Sequence, residues 1–280
     1  MDVIKTISEF RSARSNLGSV GFVPTMGALH EGHLSLLRDA RRVCDHVAVS
    51  IFVNPTQFGP TEDFSKYPRT VDEDLAKCEA EGVDFVFMPD VDQLYPPSEL
   101  DLIVDVPDLT NILEGAHRLG HFVGVCRVVA KLLMIVQPEH AFFGLKDYQQ
   151  LRVIAAMVDG LCMPVRIEPC PIIRESDGLA MSSRNVYLTD EKRRHAVGLY
   201  KALTEAKSLV DDNETDPAVI ESAMAQVLKM HHMEVDYAVI RDATTLTEVD
   251  SVNPSIEPVV SLIAAKLGNV RLIDNMVFGT

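Results

Sequence analysis

Apolar residues along this chain recur with two alternating periods. Val20-Gly21-Phe22-Val23 is a short apolar run that reads as a buried strand, and Leu34 to Val43 has the spacing of an amphipathic helix. Val47 to Val53 returns as a strand rich in β-branched residues. Thr70-Val71-Asp72-Glu73 has the form of a capping box, and it predicts a helix that stops near Gly82. Val83 to Met88 is a third strand, closed by Pro89. Val123 to Val136 is too long for a strand and fits a buried helix. Ala141 to Phe143 then reads as a strand and Asp147 to Val158 as a helix. Val165 to Ile173 is a strand that Pro169 and Pro171 confine to an edge or a bulge. Strands alternating with helices imply crossover connections and a parallel sheet, whose ligands bind beyond the carboxyl ends of the strands.

Arg174 to Asn185 breaks the rhythm. It is polar, contains Asp177-Gly178, and reads as a hinge or exposed loop. Two helices follow, Asp190 to Val210 and Pro217 to His231, then strands at Val235 to Ile240, Val259 to Ala265 and Val270 to Ile273. The expected architecture is α/β: a Rossmann-type parallel-sheet domain over 1–175 and a smaller α+β domain over 176–280.

Composition narrows the function. With 47% hydrophobic residues in 280, the chain has ample material for a large core. A net charge of −15 argues against a broad nucleic-acid or anionic-membrane surface, although a local basic pocket stays open. No apolar run approaches the roughly 18 residues of a spanning helix. Met1-Asp2-Val3-Ile4-Lys5 lacks the layout of a signal peptide. Cys44, Cys78, Cys126, Cys162 and Cys170 form an odd set with no C-x-x-C pair. That disfavours a disulfide framework or a structural zinc site, and a reducing, cytoplasmic location is expected.

The densest chemistry lies at Pro24-Thr25-Met26-Gly27-Ala28-Leu29-His30-Glu31-Gly32-His33, where a strand gives way to a helix. Two imidazoles flank a helix N-terminus, whose unpaired N–H groups and dipole suit phosphate. The pair could instead be structural. A zinc hydrolase needs a His pair four apart on a formed helix, and here the spacing is three with a glycine between. Asn54 and Gln57 offer amides to a substrate with hydroxyls and a carboxylate, or cap a proline turn. Gly144-Leu145-Lys146-Asp147 puts a lysine at a helix start, where Asp147 could equally be a cap, and Gln150 shares its face. Met181-Ser182-Ser183-Arg184 offers hydroxyls and a guanidinium to phosphate oxygens, or is a solvated linker. Tyr67 to Asp74 mixes an arginine with carboxylates that favour the helix start or reach a phosphate-bound magnesium ion. No G-x-G-x-x-G follows a predicted strand, which disfavours a dinucleotide oxidoreductase.

Together and in this order, PTMGALHEGH (24–33), SIFVNPTQFGP (50–60), YPRT (67–70), GHFVGV (120–125), FFGLKDYQQ (142–150) and DGLAMSSRN (177–185) resemble the pantothenate synthetase, or pantoate–β-alanine ligase, family. The similarity runs from about Val20 to Arg271-Leu272-Ile273-Asp274-Asn275. It implies adenylation of pantoate by ATP with magnesium, then capture of the adenylate by β-alanine, in a homodimer whose smaller domain is a lid. It implies that Met26, Gly27, Ala28, Leu29, His30, Glu31, Gly32 and His33 line the ATP site, with His30 and His33 stabilising the phosphates and His33 the candidate acid. Gly144, Leu145, Lys146 and Asp147 would contact ATP, Lys146 on phosphate, and Ile173 the adenine. Met181, Ser182, Ser183 and Arg184 resemble a shortened synthetase KMSKS loop. Gln57 and Gln150 would hold pantoate, Gln57 also lying near β-alanine. Asp74 matches a magnesium contact, although Lys77 stands where some members have a neutral amide, and Leu119 replaces a common proline. The alternatives are a related nucleotidyltransferase with another acceptor and a non-catalytic nucleotide sensor.

Overall fold

In the computed structural model, residues 1–15, 17–60 and 64–279 are described. Six strands, β1 (Asp2–Ile4), β2 (Val20–Thr25), β3 (His46–Ile51), β4 (Phe85–Phe87), β5 (His140–Gly144) and β6 (Arg166–Cys170), form one parallel sheet. Their order is β1-β4-β3-β2-β5-β6. Winding therefore reverses between β2 and β5, and the carboxyl ends of those two strands open the crevice where such sheets take ligands. The helices accompanying this sheet are α1 (Ile7–Arg14), α2 (Glu31–Val43), α3 (Val71–Ala80), α4 (Val91–Leu94), α5 (Pro107–Thr110), α6 (Glu114–His117), α7 (His121–Val136) and α8 (Tyr148–Gly160). Leu36, Leu37 and Ala40 of α2 pack with Val23, Val47, Val49 and Val86 of the sheet. Each large side chain buried in this way contributes about 2 kcal/mol.

The chain divides into two compact units, Met1–Leu145 with Gln150–Pro171, and Lys146–Gln149 with Ile172–Thr280. In the second, α9 (Asp190–Ala196), α10 (Gly198–Asp211) and α11 (Pro217–Met230) accompany an antiparallel sheet of β7 (Glu234–Asp242), β8 (Val259–Leu267) and β9 (Val270–Phe278), in that order. Leu199, Leu203, Ile220, Met224 and Leu228 of the helices form its core with Val259 and Ile263 of the central strand.

The structure departs from the pattern-based expectation in particular places. β1 and α1 were not anticipated, because a three-residue strand and a helix with one buried residue, Phe10, leave no periodic signal. Phe10 carries α1 onto the sheet through Phe85 and Phe87. The expected capping box at Thr70 does not form: Thr70 has φ −117° and ψ 51°, and its side chain makes no cap hydrogen bond. A capping box forms instead at Thr6 with Glu9. The single helix expected over 190–210 is two, broken at Val197-Gly198. There the Cβ and ring carbons of His231 occupy the space a Cβ on Gly198 would need. Pro169 falls on β6, an edge strand, where its missing N–H leaves no ladder partner wanting.

One close approach ties α7 to the turn Pro55–Gln57. A Cβ on Gly124 of α7 would lie 2.2 Å from the Thr56 carbonyl oxygen and 2.7 Å from the Gln57 nitrogen. Gly124→Ala must push the turn Pro55–Gln57 away from α7. It is expected to lower unfolding stability by about 1–3 kcal/mol, read as a lower urea midpoint; an unchanged midpoint would show that the turn retreats without strain.

Candidate active site

The turn from β2 into α2 runs through two left-handed residues, Gly27 at φ 82° and Ala28 at φ 51°. An alanine there is strained by about 1 kcal/mol or more, so something must hold it. That is Asp74, 1% exposed, whose Oδ2 accepts the Ala28 N–H at 2.9 Å and whose Oδ1 accepts the Leu29 N–H at 2.7 Å. Lys77, one turn further along α3, donates from Nζ to the Leu29 carbonyl at 2.7 Å. Thr25 closes the other side: its hydroxyl donates to Ser50 O and accepts from Gly27 N.

The braced turn delivers the histidines. His30 is the N-cap of α2, and its Nδ1 accepts the Gly32 N–H at 3.2 Å. His33 reciprocates, its Nδ1 facing the His30 N–H at 3.3 Å. The ring centroids are 4.1 Å apart. With both Nδ1 atoms accepting, the proton of each neutral ring sits on Nε2. The pair therefore offers two donors beside a helix N-terminus, where negative charge is favoured. Glu31 is held outward by Arg38, which keeps its carboxylate paired.

Gln57 is oriented by a second network. Asn54 is 1% exposed, and its Oδ1 accepts from the Tyr95 hydroxyl at 2.9 Å and the Thr56 hydroxyl at 3.0 Å. Burial raises the pKa of the Tyr95 phenol, which keeps it a donor. Asn54 Nδ2 must then donate, and it reaches Gln57 Oε1 at 3.0 Å and Gly124 O at 3.1 Å. This leaves Gln57 Nε2 facing the Met26 sulfur at 3.2 Å, a weak acceptor. Behind it, His121 Nδ1 lies 2.8 Å from Gln57 O, and Arg118 Nη1 lies 2.9 Å from His121 Nε2. Since a guanidinium only donates, His121 is the Nδ1–H tautomer.

Thus Met26, Gly27, Ala28, Leu29, His30, Glu31, Gly32, His33, Gln57 and Asp74 all belong to the β2–β3 end of the first unit. Gly144, Leu145 and Gln150 belong to the same unit, at the end of β5 and in the first turn of α8. Lys146, Asp147, Ile173, Met181, Ser182, Ser183 and Arg184 belong to the second unit. There Lys146 Nζ lies 3.6 Å from Asp147 Oδ1, Ile173 O accepts from Met181 N, and the Ser182 hydroxyl caps the short turn Ser183–Tyr187 by accepting from Arg184 N. Arg174 to Asn185 is more than a loop: Arg174 bridges Ala180 antiparallel, and Asn185 Nδ2 donates to Glu175 and to Ala180 O. Sequence reasoning gave no role to Tyr95, Arg118 or His121; His121 stood inside a quoted motif, but a buried contact to a distant carbonyl leaves no trace in spacing.

Thiol chemistry is disfavoured at the buried Cys78, Cys126 and Cys170. Burial pushes the Cys78 thiol up to about 11 and those of Cys126 and Cys170 to about 12.

Three comparisons bear on this geometry. A family model described as pantoate-beta-alanine ligase matches residues 2–277. A pantothenate synthetase from Fervidobacterium nodosum is 47% identical over 281 residues, 99% of each chain. The crystal structure of pantothenate synthetase from Thermus thermophilus matches at a TM-score of 0.94 and 42% identity over 100% of both chains. That of pantoate-beta-alanine ligase from Francisella tularensis, complexed with beta-gamma ATP and beta-alanine, gives 0.83 and 34% over 100% of this chain and 98% of its own.

Removing the brace isolates its effect. Asp74→Ala leaves two N–H groups without their acceptor and should cost about 3 kcal/mol of stability, with faster hydrogen exchange at Ala28 and Leu29. Glu73→Ala, on the exposed side of the same turn of α3, should change neither. Equal exchange in both variants would show that Asp74 does not brace the turn.

Proposed function

The chain belongs to the pantoate–β-alanine ligase family, and we propose that it makes pantothenate from pantoate, β-alanine and ATP by the following division of labour. A carboxylate oxygen of pantoate attacks the α-phosphorus of ATP; the bond to the β-phosphate bridging oxygen breaks, and pyrophosphate leaves with the electron pair. The neutral amine of β-alanine then attacks the acyl carbon of pantoyl adenylate. The carbon–oxygen bond to AMP breaks, AMP leaves, and the amine proton passes to solvent.

The observation that carries the assignment of residues is the reciprocal His30–His33 cap at the switch point of the sheet. The first step piles negative charge onto phosphate oxygens, and fixed donors aimed at that charge are the strongest catalytic device available. We assign His30 and His33 to it, His33 as acid toward the leaving pyrophosphate, with the Met26–His33 backbone around the nucleotide. Lys146, Ser182, Ser183 and Arg184 are assigned to the phosphates, Gly144, Leu145, Asp147 and Met181 to the remaining ATP contacts, and Ile173 to the adenine. Gln57 and Gln150 are assigned to pantoate, Gln57 also to the incoming β-alanine. The second step needs a placed amine and no nucleophilic side chain, so positioning and exclusion of water supply the rate. The raised thiols agree with that.

Magnesium is proposed to arrive with ATP. Among the described residues no group of three or more His, Cys, Asp or Glu side chains could hold a metal ion. Both oxygens of Asp74 already accept backbone N–H groups. We therefore give the ion to the triphosphate, where it would neutralise phosphate charge, and give Asp74 to the turn. We also propose a homodimer, which sedimentation at twice the mass of the chain would test. A cytoplasmic location is proposed from the unpaired state of all five cysteines. No helix of the described residues is long and apolar enough to cross a membrane.

The assay is AMP release from ATP with each organic substrate withheld in turn. Release is expected only with pantoate present, and free pantothenate only with β-alanine as well; AMP release with another acid and none with pantoate would favour a related nucleotidyltransferase. His33→Ala should leave the fold intact and slow single-turnover formation of pantoyl adenylate by roughly 100-fold or more. Formation at the wild-type rate would remove His33 from the step.

A further inference from the structure

We propose that Asp274-Asn275 in β9 is a positioning dipeptide that fixes, within the second unit, both segments assigned to the phosphates. The proposal rests on that assignment of Lys146 and of Met181 to Arg184. These segments are far apart in the chain and neither lies in a regular sheet, so something must set them relative to each other.

Two consecutive buried polar residues in an edge strand need a reason. Asp274 is 2% exposed and Asn275 is 3% exposed, and buried polar groups persist only when bonded. Asp274 takes a two-pronged contact from Arg174, Nη1 to Oδ2 at 2.6 Å and Nη2 to Oδ1 at 2.9 Å. Such forked pairs fix orientation as well as distance. The same guanidinium donates to Gly178 O at 3.0 Å and lies over the Tyr200 ring, 4.4 Å from its centroid. Arg174 begins a closed hairpin: Glu175 N donates to Leu179 O, Gly178 N to Glu175 O, and Met181 N to Ile173 O. Leu179 at its return arm is buried in the core of the unit. The hairpin ends where Met181 to Arg184 begin, so the Asp274 fork sets their starting point.

Asn275 serves the other segment. Its Nδ2 donates to the Lys146 carbonyl at 2.9 Å. One residue past Asp147, the Tyr148 hydroxyl donates to Ala243 O at 2.7 Å. These two bonds tie 146–149 to the second unit. Lys146 and Arg184 are thereby referred to one rigid strand.

A structural prop and a positioning element differ in how they couple. Asn275→Ala is expected to keep its melting temperature near wild type, to speed hydrogen exchange over 146–149, and to lower kcat/KM for ATP by about 10- to 100-fold. Combined with Lys146→Ala, it should add no further loss, since both variants remove one function. Asn275→Leu, of similar size without the donor and without a buried charge, should behave alike, and it carries the measurement if the alanine variant does not fold. Losses that multiply in the double variant, or unchanged exchange over 146–149, would overturn the proposal. Lys146→Ala with wild-type dependence on ATP would instead overturn the phosphate assignment, while exchange would still report whether Asn275 holds the segment.

Discussion

A single buried carboxylate shapes the first unit's chemistry. Asp74 satisfies two successive N–H groups in a turn that Ala28 enters only with strain. The Lys77 ammonium holds the Leu29 carbonyl of the same turn. Without that grip the turn between β2 and α2 has no reason to keep its left-handed pair. Without the turn, His30 does not reach the N-cap position, and the reciprocal bond from His33 has no partner. The brace thus converts a flexible, glycine-rich connection into a fixed pair of imidazole donors. Such preorganisation is worth more than donor identity alone, because the groups need not reorganise as charge develops.

The acidic chain and the polyanionic substrate of the proposed reaction are reconciled by where charges are spent. Arginines on the surface are largely consumed by neighbouring carboxylates, as Arg38 is by Glu31 and Glu81, and Arg193 by Glu175 and Asp177. The guanidinium of Arg193 also holds the Asp177 carboxyl below its ordinary value. The net charge of −15 therefore describes the exterior and says little about a pocket. At the end of β2 the favourable field for an anion comes from the N-terminus of α2, which supplies it without burying a cation.

Much of this was legible in the residues. Runs such as Val20 to Val23 and the helical stripe of Leu34 to Val43 gave the alternating sheet, because each element buries one continuous apolar face. The two histidines and the quoted motifs pointed to the ligase family. What sequence could not supply were outcomes decided by distant partners. Thr70 had the right neighbours for a capping box and yet forms none, since its backbone is not extended. Gly198 looked like an ordinary helix residue until His231 occupied the space beside it. Asp74 matched a magnesium contact, and only three-dimensional proximity reveals the backbone groups its oxygens face. Asn275 appeared merely as the end of a similarity, because its partner lies in another part of the chain.

The Gln57 amide shows how a rigid site can still exchange partners. Its oxygen is fixed by Asn54, whose own orientation is dictated by Tyr95, Thr56 and the Gly124 carbonyl. Its nitrogen faces the thioether of Met26. A sulfur is a poor acceptor, so a carboxylate or hydroxyl oxygen displaces it at small cost, whereas a carbonyl in the same place would compete strongly. Burial then favours the exchange, because an N–H in a dry site gains more from an oxygen than it would in water. Orientation of the amide is therefore settled by the protein itself, and under the proposed assignment to pantoate the weak bond is the one a substrate would replace. The close approach of Gly124 to the Pro55–Gln57 turn belongs to the same logic, since any added bulk there would shift the turn that carries the amide.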